Sequence, residues 1–152
     1  MKLSSPVFNN GDVIPEQYGR DFANVNPPLV IEDVPNKAAS LVLFMEDPDV
    51  PLAAGVPVWD HWVVFNIPAD TRTIPEGWQP TGIRGRGTRG ELDYGGPRPP
   101  DREHRYFFKL FALDAMLDSP EGSTKQQIAE AMHGHVLETV ELMGRFAPSF
   151  TN

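Results

Sequence analysis

The chain has 152 residues, no cysteine, 16 prolines, 13 glycines and a formal net charge of −8. That length suits one domain with a substantial core, and the lack of cysteine excludes disulfides, thiolate nucleophiles and thiolate metal ligands together. The acidic balance argues against non-specific nucleic-acid binding, and the prolines and glycines favour many short elements joined by fixed turns.

The opening segment MKLSSPVFNNGD lacks the apolar core of a signal peptide, and no apolar run is long enough to cross a bilayer. A cytoplasmic protein without membrane insertion is therefore expected. Alternating or β-rich runs follow at 29–32 (LVIE), 41–46 (LVLFME), 58–66 (VWDHWVVFN), 104–113 (HRYFFKLFAL) and 136–143 (VLETVELM). With no repeat, low-complexity tract or linker to divide the chain, residues 1–152 are predicted to form a single, mainly antiparallel β domain. One helix is predicted late in that order. Thr124 and Gln127 stand at capping-box spacing, Ile128, Ala131 and Met132 share a stripe, and Gly134 closes the end. The run after it also fits a helical stripe of Val136, Leu137, Val140 and Met143. Strand is the preferred reading, because Gly134 interrupts the pattern and Val136, Val140 and Leu142 share one strand face.

Several polar residues break these apolar patterns. The strand at 41–46 runs into Asp47 and Asp49, separated by Pro48, whose fixed φ and effect on the preceding residue favour both carboxylates projecting from one side. Strict alternation in VWDHWVVFN places His61 on a face with Trp59, Val63 and Phe65. In HRYFFKLFAL it places His104 and Tyr106 at the end of the face of Phe108, Leu110 and Ala112. The loop DYGGPRPP, 93–100, has paired glycines suited to presenting backbone N–H groups to a ligand. Taken singly, each feature has a plain reading: a strand exit, a core-edge histidine with one hydrogen bond, a turn. Six of the thirteen basic residues, Arg84, Arg86, Arg89, Arg98, Arg102 and Arg105, fall between 84 and 105, either as a solvated turn or as an anion-attracting rim.

The serines, at 4, 5, 40, 119, 123 and 149, lie away from these segments and none sits in a nucleophile elbow, so a hydrolase triad is not indicated. GRGTRG at 85–90 matches Gly-x-Gly-x-x-Gly, but ELDYGGPRPP follows where a nucleotide-binding helix would be required. A metal site from His61, His104, Asp47 and Asp49 is chemically sound, yet no ligand spacing marks it. What remains is an anion pocket. Two imidazoles, a tyrosine hydroxyl and glycine amides supply donors, while Asp47 or Asp49 orients an imidazole and favours its charged form.

LVLFMEDPDVP, VWDHWVVFNIP, DYGGPRPP, HRYFFKLFALD and the earlier IPEQYG and NPPL occur in an order that resembles the phosphatidylethanolamine-binding protein family, also called the Raf-kinase inhibitor protein family. The likeness is to its small bacterial and archaeal branch and covers essentially the whole chain. It implies an antiparallel β-sandwich whose pocket accepts phosphate, phosphoryl head groups or acetate-like ions, with no cofactor and no established catalytic chemistry. The positions it implicates are Asp47, Asp49, His61, Gly96 and Pro97 of the proline-rich loop, His104 and Tyr106. It also implies a kinase or protease partner as one alternative function and allows a homodimer; a metal-dependent hydrolase using the His and Asp groups is the other alternative. Arg20 and Arg98 stand where many small relatives have cysteine, and Arg102 and Phe22 where glycine is frequent. On this reading His104 is a pocket donor whose replacement by alanine spares the fold.

Overall fold

The computed structural model describes residues 1–149. In chain order it contains β1 (Lys2–Ser4), β2 (Leu29–Glu32), β3 (Ser40–Asp47), β4 (Trp59–Pro68), β5 (Thr73–Ile74), β6 (Ile83–Arg84), β7 (His104–Leu113), α1 (Lys125–Met132) and β8 (Val136–Phe146). Every strand pair is antiparallel, in a three-stranded sheet ordered β1-β2-β5 and a five-stranded sheet ordered β6-β4-β3-β7-β8. The expected mainly β architecture with one late helix is what forms. The five predicted strands each appear, some longer than expected, and the run after Gly134 is strand. The two- and three-residue strands β1, β5 and β6 are additions, too short for any periodicity to mark.

β3 lies between β4 and β7 and is buried along its whole length, which explains its nearly unbroken apolar sequence. Its two faces serve different cores. Leu41, Leu43 and Met45 join Tyr106, Phe108 and Leu110 against Leu3, Leu29, Ile31 and Ile74 of the smaller sheet, forming the interior of a β-sandwich. Val42 and Phe44 join Val63 and Phe65 on the opposite face, covered by Ile128 and Met132 of α1. The molecule is thus a sandwich with a helix on the outer face of its larger sheet.

Strict alternation fails twice in β4, and the failures matter for the site. Met45 pairs with Trp62 but Glu46 pairs with Asp60, so His61 is an extra residue on its strand, a β-bulge. His61 thereby leaves the face of Val63 and Phe65 predicted for it. Its ring packs edge-on against Tyr106 on the sandwich side, with centroids 5.3 Å apart. A second shift, between the Leu41–Ile67 and Leu43–Val64 pairs, accommodates Asn66 at φ 52°. Its side-chain amide bonds both the N–H and the C=O of Leu117 at 2.8 Å, and Val64 and Ile67 consequently enter the same core.

α1 starts where its capping box is written. Thr124 accepts from the Gln127 N–H at 3.3 Å, and the Gln127 side chain accepts from the Thr124 N–H at 2.9 Å. An eight-residue helix gains little from propagation, so its cap and its apolar contacts carry it. Replacing Thr124 with Ala is expected to cost about 1 kcal/mol of stability, measured as a shift in urea midpoint at unchanged m-value. A midpoint equal to that of the parent would show that side-chain packing alone fixes the helix start.

Candidate functional site

The bulge in β4, the end of β3 and the start of β7 border a cavity of about 320 Å³. Of the residues singled out in the sequence, Asp47, His61, Gly96, His104 and Tyr106 line it, and Asp49 and Pro97 do not. Apolar residues before the bulge, Val50, Pro51, Ala53, Ala54 and Trp59, form one wall, while Arg20, Arg89 and Arg98 approach from the other loops.

Asp47 extends the alternating face of Leu43 and Met45, so it arrives at the cavity at the point where apolar packing stops. Its Oδ2 lies 2.6 Å from His104 Nδ1, and its Oδ1 accepts the Asp49 N–H at 2.7 Å. Carboxylate and imidazole are almost wholly buried, with side chains 4% and 1% exposed. Burial pushes the Asp47 carboxyl above its ordinary range, while the His104 hydrogen bond and the Asp49 amide pull the other way. The second ring nitrogen, Nε2, faces Asp101 Oδ1 at 2.7 Å. That hydrogen bond holds the Asp101 carboxyl below its usual range. Both nitrogens of His104 are therefore engaged within the chain.

Asp49 points elsewhere, so the expected projection of both carboxylates to one side does not hold. Its carboxylate takes the Arg105 backbone N–H at 2.9 Å, Nε at 2.9 Å and Nη2 at 2.8 Å. This fork-like grip pulls its pKa down to about 2. Asp49 is a strand-end clamp.

The carboxylate expected beside an imidazole falls to His104, whereas His61 is held by a backbone carbonyl. Its Nδ1 lies 2.7 Å from the Gly95 carbonyl oxygen, which can only accept, so Nδ1 carries the hydrogen and Nε2 is the acceptor. Burial pushes its pKa down to about 4, outweighing the Gly95 hydrogen bond, and the Arg20 and Arg89 charges add to the depression. The ring is neutral at physiological pH. Tyr106, fully buried, has its phenol pushed far above the usual value by burial and secondarily by the Asp47 charge, so its hydroxyl stays protonated.

The glycine loop also plays a different part from the one expected. The Gly95 N–H donates to the His61 carbonyl at 3.0 Å and the Gly96 N–H to Asn24 Oδ1 at 2.7 Å, so neither amide is open to a ligand. Gly96 is required for close packing. A β-carbon there would overlap the Tyr18 carbonyl oxygen and crowd the Arg20 nitrogen.

Most of the basic run is consumed by internal pairing. Arg84 meets Asp93 at 2.7 Å, Arg98 meets Asp21 at 3.0 Å and Arg105 meets Asp49, while Arg20, outside the run, meets Glu91 at 2.7 Å. Among the described residues Arg89 has no carboxylate within ion-pair distance, and it lines the cavity. Sequence reasoning missed Arg20, Arg89, Asp60 and Asp101 as individuals, because loop charges acquire meaning only from the partners the fold gives them. Among the described residues no three His, Asp or Glu side chains are arranged to hold a metal ion, and no helix is long and apolar enough to cross a membrane.

Two expectations follow. Because the folded-state pKa of Asp49 lies below its unfolded value of about 3.9, its ionised form stabilises the fold above that pH, and this contribution is lost as pH falls toward 2. Arg105 is half exposed and solvent screens the pair, so about 1 kcal/mol is expected. Urea midpoints of the parent and Asp49→Asn should differ near neutrality and converge near pH 2. His104→Ala leaves the buried Asp47 carboxylate without its imidazole and is expected to destabilise the fold by about 3 kcal/mol, contrary to the sequence-based expectation that the fold would be spared. A thermal midpoint unchanged in His104→Ala would contradict this.

Comparison with known proteins gives a consistent picture. The family model described as phosphatidylethanolamine-binding protein matches residues 4–147. A UPF0098 protein of Chlamydia trachomatis is 44% identical over 147 residues, spanning 96% of this chain and 98% of that protein. A UPF0098 protein of Methanothermobacter thermautotrophicus is 43% identical over 152 residues, spanning 96% and 98%. The crystal structure of a phosphatidylethanolamine-binding protein homolog from C. trachomatis matches at a TM-score of 0.92 and 44% identity over 95% of each chain. E. coli YbcL, described as a member of the mammalian PEBP family, matches at 0.86 and 25% identity over 95% of this chain and 96% of its own.

Proposed function

This chain belongs to the phosphatidylethanolamine-binding protein family, and from that premise we propose that its cavity binds a small anion, or the phosphoryl group of a larger ligand, without catalysing a reaction. The observation that carries this reading is the meeting, in one cavity, of a neutral imidazole, a protonated phenol and an arginine with no carboxylate partner among the described residues. About 320 Å³ suits a small ligand, and its apolar wall leaves room for a carbon-bearing portion beside the charged one. The lining holds no serine, threonine, cysteine or lysine to serve as a nucleophile.

The same geometry sets a pH dependence. In the free protein His61 is neutral with a pKa of about 4. An anion placed beside it favours the imidazolium, so its pKa rises in the complex, and binding takes up a proton at pH values between the two. Affinity is therefore greatest on the acid side and falls as pH rises from the free-state pKa to the bound-state pKa, by up to about tenfold per pH unit for one linked proton, and levels off above it. Sulfate is the useful probe, since it stays fully ionised across this range. Calorimetric titration with sulfate in the presence of a chelator should show tighter binding at about pH 5.5 than at about pH 7.5. His61→Asn keeps a donor for the Gly95 carbonyl and should remove most of that difference. Binding that required an added metal ion, or that was equally pH-dependent in His61→Asn, would refute the proposal.

A further inference from the structure

His104 has two ring nitrogens, and the structure commits both. Nδ1 is turned inward to Asp47, a carboxylate 4% exposed on the central strand, and freeing it would strand that charge in the interior. Nε2 is the nitrogen left to meet a ligand, and it is held by Asp101 at 2.7 Å. An N–H donates one good hydrogen bond, so Asp101 and a bound anion exclude each other there.

We propose that Asp101 is an intramolecular competitor for the cavity, its carboxylate occupying the position on His104 Nε2 that a bound oxyanion takes only when Asp101 swings away. The inference rests on the anion-binding reading and adds to it the residue that sets the threshold for binding. Chemically the match is direct, since an aspartate carboxylate presents to the imidazole the same anionic oxygen that a phosphoryl group or a small carboxylate would.

The two ends of the contact are anchored very differently. The side chain of His104 is 1% exposed, whereas that of Asp101 is 42% exposed. Asp101 lies outside β7, in the bend that follows Pro99 and Pro100, both of which line the cavity. Its ionic neighbour among the described residues other than His104 is Arg102, whose Nε stands 4.0 Å away on a side chain 62% exposed. Rotation of one half-exposed side chain would thus uncover Nε2 without disturbing a strand, while Asp47 keeps the ring oriented throughout. The energetic consequence is that of any preoccupied site: apparent affinity is the intrinsic affinity reduced by the fraction of molecules in which the competitor has left.

The test compares inorganic phosphate binding, by calorimetry near neutral pH, in the parent, Asp101→Ala and Glu103→Gln. Glu103 is two residues from Asp101 and bonds Arg145 at 2.9 Å, so its replacement removes the same formal charge without touching His104. Asp101→Ala is expected to bind phosphate about three- to tenfold more tightly than the parent, below the full range of a charge-assisted hydrogen bond because Asp101 is partly exposed. Glu103→Gln should change affinity less than about twofold, since a solvent-screened charge acts weakly at that range. In the parent, phosphate should also shift the His104 Nε2 resonance in long-range proton–nitrogen spectra and leave Nδ1 nearly unmoved. If the parent binds phosphate and Asp101→Ala binds no better than Glu103→Gln, or if Nε2 does not respond, the competitor is refuted and the anion-binding reading stands. If neither the parent nor Asp101→Ala binds phosphate, both are refuted.

Discussion

The buried hydrogen bond between Asp47 and His104 is the constraint around which this end of the molecule is arranged. A carboxylate carried into the interior by the central strand is tolerable only with donors on both oxygens, and those donors come from the adjoining strand β7 and from a tight turn onto the Asp49 N–H. That turn sends the chain away from the sheet, which frees Asp49 to grip Arg105 on the outside. Two aspartates separated only by Pro48 thus acquire opposite electrostatic fates, one pushed up by burial and the other pulled down to about 2 by a guanidinium. Because the polar pair interrupts the apolar face at the strand ends, the packing that fills the sandwich stops there and the cavity begins.

The bulge at His61 completes the arrangement by letting consecutive residues serve different layers. Asp60 turns toward α1, where Lys125 Nζ lies 2.6 Å from its Oδ1 and 2.7 Å from Glu46 Oε2. The contact with Asp60 is an ion pair by distance, though it is not aligned as a hydrogen bond to that oxygen. Lys109 closes on the other Glu46 oxygen at 2.5 Å. Lysine in the first turn of a helix opposes the helix dipole, so its position reflects the two carboxylates it bridges. His61, one residue later, faces the sandwich and Tyr106. The ion-paired cluster therefore fixes the bulge from the helix side while the cavity uses the residue that the bulge displaces.

Much of this was legible in the sequence wherever one regular period governed. The face of Tyr106, Phe108, Leu110 and Ala112 follows from alternation alone, and the start of α1 from Thr124 and Gln127, because strand pleat and helix cap are local properties. Membership of one cavity by Asp47, His61 and His104 was signalled by polarity at strand ends. The orientation of His61 was not, since alternation cannot register an extra residue whose only cause is pairing with β3. The roles of Gly95 and Gly96 were likewise hidden. Their amides are taken by His61 and Asn24, partners 34 and 72 residues away in sequence that only the fold brings near.

The charge of the cavity also needs the fold to be understood. A chain of formal charge −8 would repel anions if its charge were spread evenly, but the carboxylates nearest the cavity are engaged within the chain: Glu91 by Arg20, Asp93 by Arg84 and Asp60 by Lys125, while Asp47 and Asp101 share His104. Distant acidic residues beyond about 10 Å are screened at ordinary ionic strength, so the local balance governs. That balance leaves Arg89 as the attracting charge, with Tyr106 as a donor and His61 Nε2 as an acceptor. A cavity so furnished discriminates by hydrogen bonding as much as by charge. An oxyanion that carries its own O–H, as a monoprotonated phosphate does, satisfies the acceptor nitrogen without charging His61, whereas a fully ionised anion of the same shape must first bring a proton to it.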